Sequence, residues 1–64
     1  MLRNNYNGVA LKYRPDLFRS ESLAVICAER CKKPHRAVKV DSGYLVVCNS
    51  DAMRLVRAGY ELIA

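Results

Sequence analysis

The sequence has no tryptophan, only three glycines and a single histidine, His35. Three scattered glycines cannot form the glycine-rich loops that hold phosphate groups, which excludes the common nucleotide-binding motifs. A cysteine or serine nucleophile needs a histidine base and a third group that orients this base. His35 lies in a basic segment predicted to be a solvated turn, and the six acidic residues are scattered along the chain. Neither nucleophilic nor paired-carboxylate catalysis has an evident place, so we predict that the protein is not an enzyme.

Long apolar runs are also missing. Residues 1–8 contain no continuous apolar stretch of the kind that a secretion signal needs, and no later run approaches the roughly 20 residues required to cross a bilayer. The three cysteines are an odd number and cannot pair completely within the chain, which is typical of a reducing compartment. We expect a cytoplasmic protein that does not enter a membrane.

The chain is short and rich in hydrophobic residues. Its 64 residues predict one domain, over residues 8–64, preceded by a flexible segment at residues 1–7. So small a domain leaves much of its surface exposed, yet 52% of the residues are hydrophobic. Because a small core cannot hold this many apolar side chains, the surplus predicts self-association, most simply as a homodimer.

Alternation and capping residues predict the element order strand, helix, strand, strand, helix, strand. Pro15 ends the first strand, Ser20 caps the first helix, and Pro34 prevents this helix from continuing. Gly59 ends the second helix. The predicted elements are a strand over 8–14, a connection over 16–19, a helix over 21–32, strands over 37–40 and 44–48 joined by a three-residue turn at 41–43, a helix capped within 49–51, and a strand over 60–64.

This order predicts an α+β fold of the βαββαβ type. It matches the split βαβ, ferredoxin-like arrangement, a two-layer sandwich in which both helices cover one face of a four-stranded, mostly antiparallel sheet. Residues 44–48 are apolar on both sides, so the second face needs another cover. We expect Leu45 and Val47 to lie there and to form the self-association surface. A two-residue turn would exchange these two side chains with Tyr44, Val46 and Cys48 between the faces.

The basic residues are unevenly distributed. Eleven lysines and arginines against six acids give a net charge of +5. Five of these cations lie within ten positions that contain no acid: Arg30, Lys32, Lys33, Arg36 and Lys39. Lysine and arginine contacts to phosphate supply most non-specific affinity for DNA or RNA, so this segment predicts a possible nucleic-acid contact. The alternative is structural, since cations in the last turn of a helix also complement its dipole.

Three cysteines and the histidine suggest a metal site. Cys27, Cys31, His35 and Cys48 have the chemistry of a structural zinc centre. Their spacing fits such a site loosely, because Cys27 and Cys31 are expected on the inward face of a helix, with Leu23 and Ile26 on the same face, and Cys48 on a strand. Free cysteine is frequently buried as a small hydrophobic residue, so three core thiols are the competing interpretation. No cofactor is predicted, and a zinc-stapled domain stays a second alternative.

No motif is specific enough to indicate a protein family. The leading hypothesis is a small non-enzymatic interaction or regulatory module that self-associates and binds a protein partner. The contact would use the uncovered sheet face or an edge strand, whose free backbone groups can accept a strand from a second chain. The alternative is an accessory protein that binds nucleic acid through residues 30–39.

Overall fold

The computed structural model describes residues 4–64 as an α+β domain with a two-stranded and a four-stranded sheet, both antiparallel, and two helices. The elements, in chain order, are β1 (Asn4–Tyr6), β2 (Val9–Leu11), β3 (Asp16–Phe18), α1 (Glu21–Arg30), β4 (His35–Val40), β5 (Gly43–Cys48), α2 (Asn49–Arg57) and β6 (Glu61–Leu62). The small sheet pairs β1 with β2, and the large sheet has the order β3-β5-β4-β6. Among these elements, no helix is long and apolar enough to cross a membrane.

The chain begins its described part with a hairpin. β1 and β2 pair in the register Tyr6↔Val9, so Asn7 and Gly8 form a two-residue turn. Both turn residues have positive φ, 47° and 85°, a combination that asparagine and glycine adopt readily. Residues 4–7, which belong to the segment predicted to be flexible, form β1 and the first turn position of this hairpin. Residues 1–3 of that segment lie outside the described part of the chain.

The first strand of the large sheet comes later than predicted. Residues 16–19 were expected to be a connection, but Asp16–Phe18 form β3 and pair with β5 in the register Leu17↔Leu45. Pro15 directly precedes β3, a position that proline tolerates because β3 is an outer strand. The predicted strand over 8–14 is shortened to β2, which belongs to the other sheet.

Helix α1 begins as predicted but is turned differently about its axis. The Ser20 side chain accepts a hydrogen bond from the backbone N–H of Leu23 at 3.4 Å, which confirms the N-cap. The residues buried against the sheet are Ala24 and Ala28. Their small side chains let the helix approach the strands closely. Leu23 and Ile26, expected to point inward, are 56% and 43% exposed, so the prediction is wrong for these two residues. Cys27 and Cys31, expected on the same face, are half-buried and pack against the cluster that contains Ala24 and Ala28.

The hairpin formed by β4 and β5 is confirmed, with a different turn. Val40 pairs with Gly43, so Asp41 and Ser42 close a two-residue turn instead of the predicted three-residue one. Gly43 has a φ of 145° and lies against the backbone of Phe18 in the neighbouring strand. A side chain at this position would collide with β3, and only glycine fits.

The second helix starts directly after β5. Its N-cap is Cys48, whose side chain makes no capping hydrogen bond, so none of residues 49–51 provides the predicted cap. Gly59 follows the last turn with a φ of 106°, and its N–H donates to the carbonyl of Val56 at 3.0 Å. This geometry confirms that Gly59 ends α2.

The strand order differs from the ferredoxin-like arrangement. The step from β3 through α1 to β4 passes over β5, and the step from β5 through α2 to β6 passes over β4. Both steps move in the same direction across the sheet, but they start from strands that run in opposite directions. Right-handed crossovers then place the two helices on opposite faces of the sheet. In the ferredoxin-like order the last strand would pair with β3 instead, and both helices would share one face.

Two clusters of buried side chains confirm this placement. Ala24 and Ala28 of α1 pack with Ala37 and Val46 on one face. The other face is covered by α2 together with the β1–β2 hairpin, and its buried residues are Leu11, Val38, Val40, Leu45, Val47, Ala52 and Leu55.

The predicted self-association surface therefore needs correction. Leu45 and Val47 are only 2% and 3% exposed, because the hairpin and α2 cover the face on which they lie. The prediction placed both helices on one face of the sheet and no other element on the face of Leu45 and Val47. The chain covers both faces of the sheet by itself.

Candidate functional site

An open apolar groove of about 470 Å³ lies between α1 and the outer strand β3. We call it the α1–β3 groove, and its lining residues are Phe18, Leu23, Ile26, Cys27, Arg30 and Cys31. All six are at least partly accessible to solvent. The volume falls within the range of about 300–1,000 Å³ typical of ligand pockets in proteins.

The periodicity of α1 produces the helical wall of the groove. One side of the helix carries residues at the spacing i, i+3, i+4 and i+7, which are Leu23, Ile26, Cys27 and Arg30. Alanines at 24 and 28 occupy the side that faces the sheet. From Leu23 to Cys31 the wall extends for about 12 Å at the helical rise of 1.5 Å per residue.

The opposite wall comes from the sheet. Side chains alternate along β3, so Asp16 and Phe18 share a face and Leu17 lies on the other. Asp16 pairs with Val46 of β5 and Phe18 pairs with Tyr44, and paired residues point to the same face. Val46 packs against α1, so this is the α1 face. Phe18 is half-buried there and contacts the same cluster. The groove is thus bounded by a helix on one side and by an edge strand on the other.

The groove contains two thiols in contact with each other. The Cys31 Sγ donates a hydrogen bond to the backbone carbonyl of Cys27 at 3.2 Å, and both cysteines are free. Burial raises the pKa of the Cys27 thiol, and the neighbouring Cys31 and the Asp16 carboxylate raise it further. A raised pKa reduces the thiolate fraction at neutral pH, which makes Cys27 a weak nucleophile.

The structure does not bring the four candidate metal ligands of the zinc alternative together. Cys27 and Cys31 lie in the groove, whereas His35 pairs with Cys48 across β4 and β5. The His35 Nδ1 lies 2.9 Å from the carbonyl oxygen of Lys33, and the Cys48 Sγ lies 3.4 Å from the Ser50 Oγ. Across residues 4–64, no group of three histidine, cysteine, aspartate or glutamate side chains could hold a metal ion.

The basic segment 30–39 is divided by the fold. Arg30, Lys32 and Lys33 are exposed at the end of α1 and in the loop that follows. Lys39 is also exposed but lies roughly 13 Å along β4 from His35, at 3.3 Å per residue. The five predicted contact residues therefore do not form one patch.

Arg36 and Lys39 lie on different surfaces of the domain. Alternation along β4 places the two on opposite faces of the sheet. The Arg36 Nε donates to the carbonyl of Ala64 at 2.9 Å and its Nη1 donates to the Asn49 Oδ1 at 3.2 Å. These two hydrogen bonds hold the guanidinium against the chain and leave three of its five N–H donors for another contact.

Comparisons with protein families, with curated proteins and with solved structures find no match to this chain. The candidate site is therefore derived from the geometry of the chain alone.

Sequence reasoning did not identify the groove, although one signal was present. Leu23 and Ile26 are predicted to face inward because they share a helical face with Cys27 and Cys31. The pair Ala24 and Ala28, spaced by four residues, also defines a helical face, one that suits close packing on a sheet. Phe18 is half-buried on the outer strand β3, where no prediction placed a strand.

Proposed function

We propose that this chain is a non-enzymatic protein-interaction module and that the α1–β3 groove is its binding surface. The observation that carries this proposal is the exposure of Leu23 and Ile26, whose side chains are 56% and 43% accessible while alanines of the same helix contact the sheet. Large apolar side chains grouped beside a groove mark a contact site more often than scattered ones do.

The energetics favour covering these side chains. Fully burying a leucine or isoleucine side chain contributes about 1.5–3 kcal/mol of free energy. A partner that covers Leu23, Ile26 and the exposed part of Phe18 therefore gains several kcal/mol of favourable burial free energy. The groove is open, and its walls are packed elements of the fold, which reduces the cost of ordering it on binding. A protein partner that inserts one or two apolar side chains fits these features.

The polar groups of the groove suit binding better than catalysis. Arg30 is the only permanently charged residue among its lining residues. The raised pKa of Cys27 keeps this thiol protonated at neutral pH, and the Nδ1 of His35 is turned towards the carbonyl of Lys33. The lining thus offers apolar contact and one cation, with no general base next to a nucleophile.

Selection of ligands from a random peptide library tests this proposal directly. The target is the full chain, and the counter-target is the Leu23→Gln/Ile26→Gln variant, which should fold normally because both side chains are largely exposed. We expect enriched peptides to bind the wild-type chain and to lose at least tenfold in affinity on the double variant. Met53→Gln serves as the matched control, since Met53 is an exposed apolar residue of α2 outside the groove.

Alkylation of the cysteines provides an independent footprint in the same experiment. A peptide seated in the groove should slow the alkylation of Cys27 and Cys31 and leave Cys48 unchanged, because Cys48 does not line the groove. If repeated selections enrich no peptide, or enrich only peptides that bind the Leu23→Gln/Ile26→Gln variant equally well, the proposed function is wrong. Sedimentation of the isolated chain over a range of concentrations shows separately whether a second copy occupies the groove.

A further inference from the structure

The groove adjoins a strand edge that has no partner among residues 4–64, since β3 is an outer strand of the sheet. A Cβ placed on Gly43 would meet the carbonyl oxygen of Phe18, so this carbonyl points towards β5. In an antiparallel pair, the N–H and C=O of one residue face the partner and those of the next residue face away. The N–H and C=O of Leu17 therefore point outward, where they can pair with an added strand.

Each face of this edge carries one large apolar side chain, and Asp16 shares the α1 face with Phe18. Phe18 lies on the α1 face and forms a wall of the groove. Leu17 lies on the other face and is 53% exposed. Since side chains alternate along a strand, a segment added beside β3 would place one set in the groove next to Phe18 and the other set beside Leu17.

The charges around this edge are mainly positive. Arg14 and Arg19 are exposed on either side of β3, five residues apart and hence separated by at most about 18 Å of extended chain. Arg30 lines the groove itself. The acid in β3 is Asp16, which the three arginines outnumber.

The acids of α1 do not change this balance. At 100° per residue, Glu21 lies at least about 140° around the helix from Leu23, Ile26 and Arg30. Glu29 lies about 60° from Ile26 and at least about 100° from Leu23 and Arg30, and with Asp16 it makes two acids against the three arginines. The surface beside β3 is therefore complementary to a segment with acidic ends and an apolar centre.

We infer that the partner contributes an extended segment, acidic at both ends and apolar in the middle, which adds to the outer edge of β3 as a further strand. Its backbone pairs with Leu17, an apolar side chain enters the α1–β3 groove, and its carboxylates face Arg14, Arg19 and Arg30. This inference rests on the proposed function and specifies the chemistry of its partner. Addition of a strand gives affinity through main-chain hydrogen bonds and specificity through the neighbouring side-chain pocket.

A second copy of the chain is a less suitable occupant. Two β3 strands paired antiparallel about Leu17 would place Arg19 of each copy opposite Pro15 of the other, next to its Arg14. Each chain also carries a net charge of +5, and like charges brought together at an interface oppose association. An acidic segment of another protein removes both sources of repulsion.

The test uses the full chain and a synthetic seven-residue peptide, Glu-Asp-Val-Leu-Val-Asp-Glu, capped at both ends. Its control is the neutral isostere Gln-Asn-Val-Leu-Val-Asn-Gln. We expect the acidic peptide to bind about tenfold more tightly than the isostere at low salt, because several exposed charge pairs each contribute modestly. Hydrogen exchange measured by NMR should show that the Leu17 amide becomes protected in the complex.

Variants of the chain identify the arginines that contact the carboxylates of the peptide. Arg14→Gln/Arg19→Gln should weaken the acidic peptide about tenfold and leave the isostere unchanged. Arg57→Gln is the matched control, since Arg57 is exposed at the end of α2, away from β3. A single-stranded oligonucleotide of the same net charge as the peptide is titrated in parallel.

The outcomes separate this inference from the proposed function. Equal affinity for the two peptides, no binding of the acidic one, or binding without protection of Leu17 would overturn the added acidic strand. The proposed function would still stand if library peptides protect Cys27 and Cys31 and depend on Leu23 and Ile26. An oligonucleotide that displaces the acidic peptide at equal or lower concentration would also overturn the inference, in favour of a nucleic-acid partner.

Discussion

The carboxylate of Asp51, in the first turn of α2, accepts a hydrogen bond from the backbone N–H of Lys12 at 2.8 Å. The Asp51 Oδ2 accepts a hydrogen bond from the backbone N–H of Tyr13 at 3.1 Å. The Arg54 Nη1 donates to the Asp51 Oδ1, the oxygen that also accepts from Lys12, at 3.2 Å. Asp51 is completely buried. This one side chain therefore attaches the segment between β2 and β3 to α2 and fixes where the large sheet begins.

Replacing Asp51 by alanine should destabilise the domain by about 1–3 kcal/mol, because two part-buried hydrogen bonds from the backbone to a charged acceptor would be lost. Urea unfolding followed by circular dichroism measures the change, with Asp41→Ala in the exposed turn as the control. Asp51→Asn should have a smaller effect, since the amide oxygen retains one hydrogen bond. An Asp51→Ala midpoint equal to that of Asp41→Ala would contradict the structural role of Asp51.

Gly43→Ala should destabilise the domain more than Gly8→Ala. Both glycines have positive φ, so each alanine carries a backbone cost of about 1 kcal/mol. Only at Gly43 would the added methyl group also press on the carbonyl of Phe18, whereas the space around Gly8 is open. Thermal unfolding of the two variants compares them directly, and equal losses would show that β3 does not approach β5 as described.

Leu45→Lys should abolish cooperative unfolding rather than improve solubility. Leu45 is buried between the sheet and its cover, and an unpaired charge placed there costs more than a domain of this size can absorb. Leu23→Lys should leave the thermal transition nearly unchanged because Leu23 is exposed. A folded, soluble Leu45→Lys protein would restore the idea of an uncovered sheet face.

The pH dependence of alkylation tests the environment of Cys27. Because burial, Cys31 and Asp16 all raise the pKa of this thiol, its reactive thiolate should form at a higher pH than the ordinary value of about 8.5. Alkylation rates measured by peptide mass mapping between pH 7 and about pH 10 should therefore give a midpoint above that value. Asp16→Asn should lower the midpoint, and a midpoint below 8 in the wild-type chain would contradict the described surroundings.

Nucleic-acid binding, the alternative function, makes a distinct prediction about the basic segment. Arg30, Lys32 and Lys33 lie at one end of α1, and Lys39 lies far from them. Lys32→Glu/Lys33→Glu should then abolish retention of a single-stranded oligonucleotide at about 50 mM salt, where phosphate contacts are strongest. Lys39→Glu should have a much smaller effect, and no retention of any strand by the wild-type chain would eliminate this alternative.

Local signals in the sequence predicted most of the regular elements. Each of these signals depends on residues close together in the chain. Ser20 marks the start of α1, Gly59 marks the end of α2, and the apolar run of residues 44–48 marks β5. The Asn7-Gly8 pair was equally informative and was missed, although it is the preferred sequence for a two-residue hairpin turn.

The arrangement of the elements was harder to predict, because it depends on contacts between distant residues. The direction in which α2 carries the chain decides whether the last strand joins β4 or β3, and nothing in residues 49–62 specifies that direction locally. The burial of Ala24 in preference to Leu23 likewise depends on how closely α1 approaches the sheet. The candidate groove follows from these two features, and the Ala24–Ala28 face is the part of it that the sequence indicates.

The Tyr6 and Tyr60 rings meet edge to face, with their centroids 5.7 Å apart, although 53 residues separate them in the chain. Leu11, near the beginning, is sealed by residues that come 27 to 44 positions later. A nascent chain emerging from a ribosome could not complete this cluster until its final turn of helix was available. Folding should thus be an all-or-none event in which neither half survives alone.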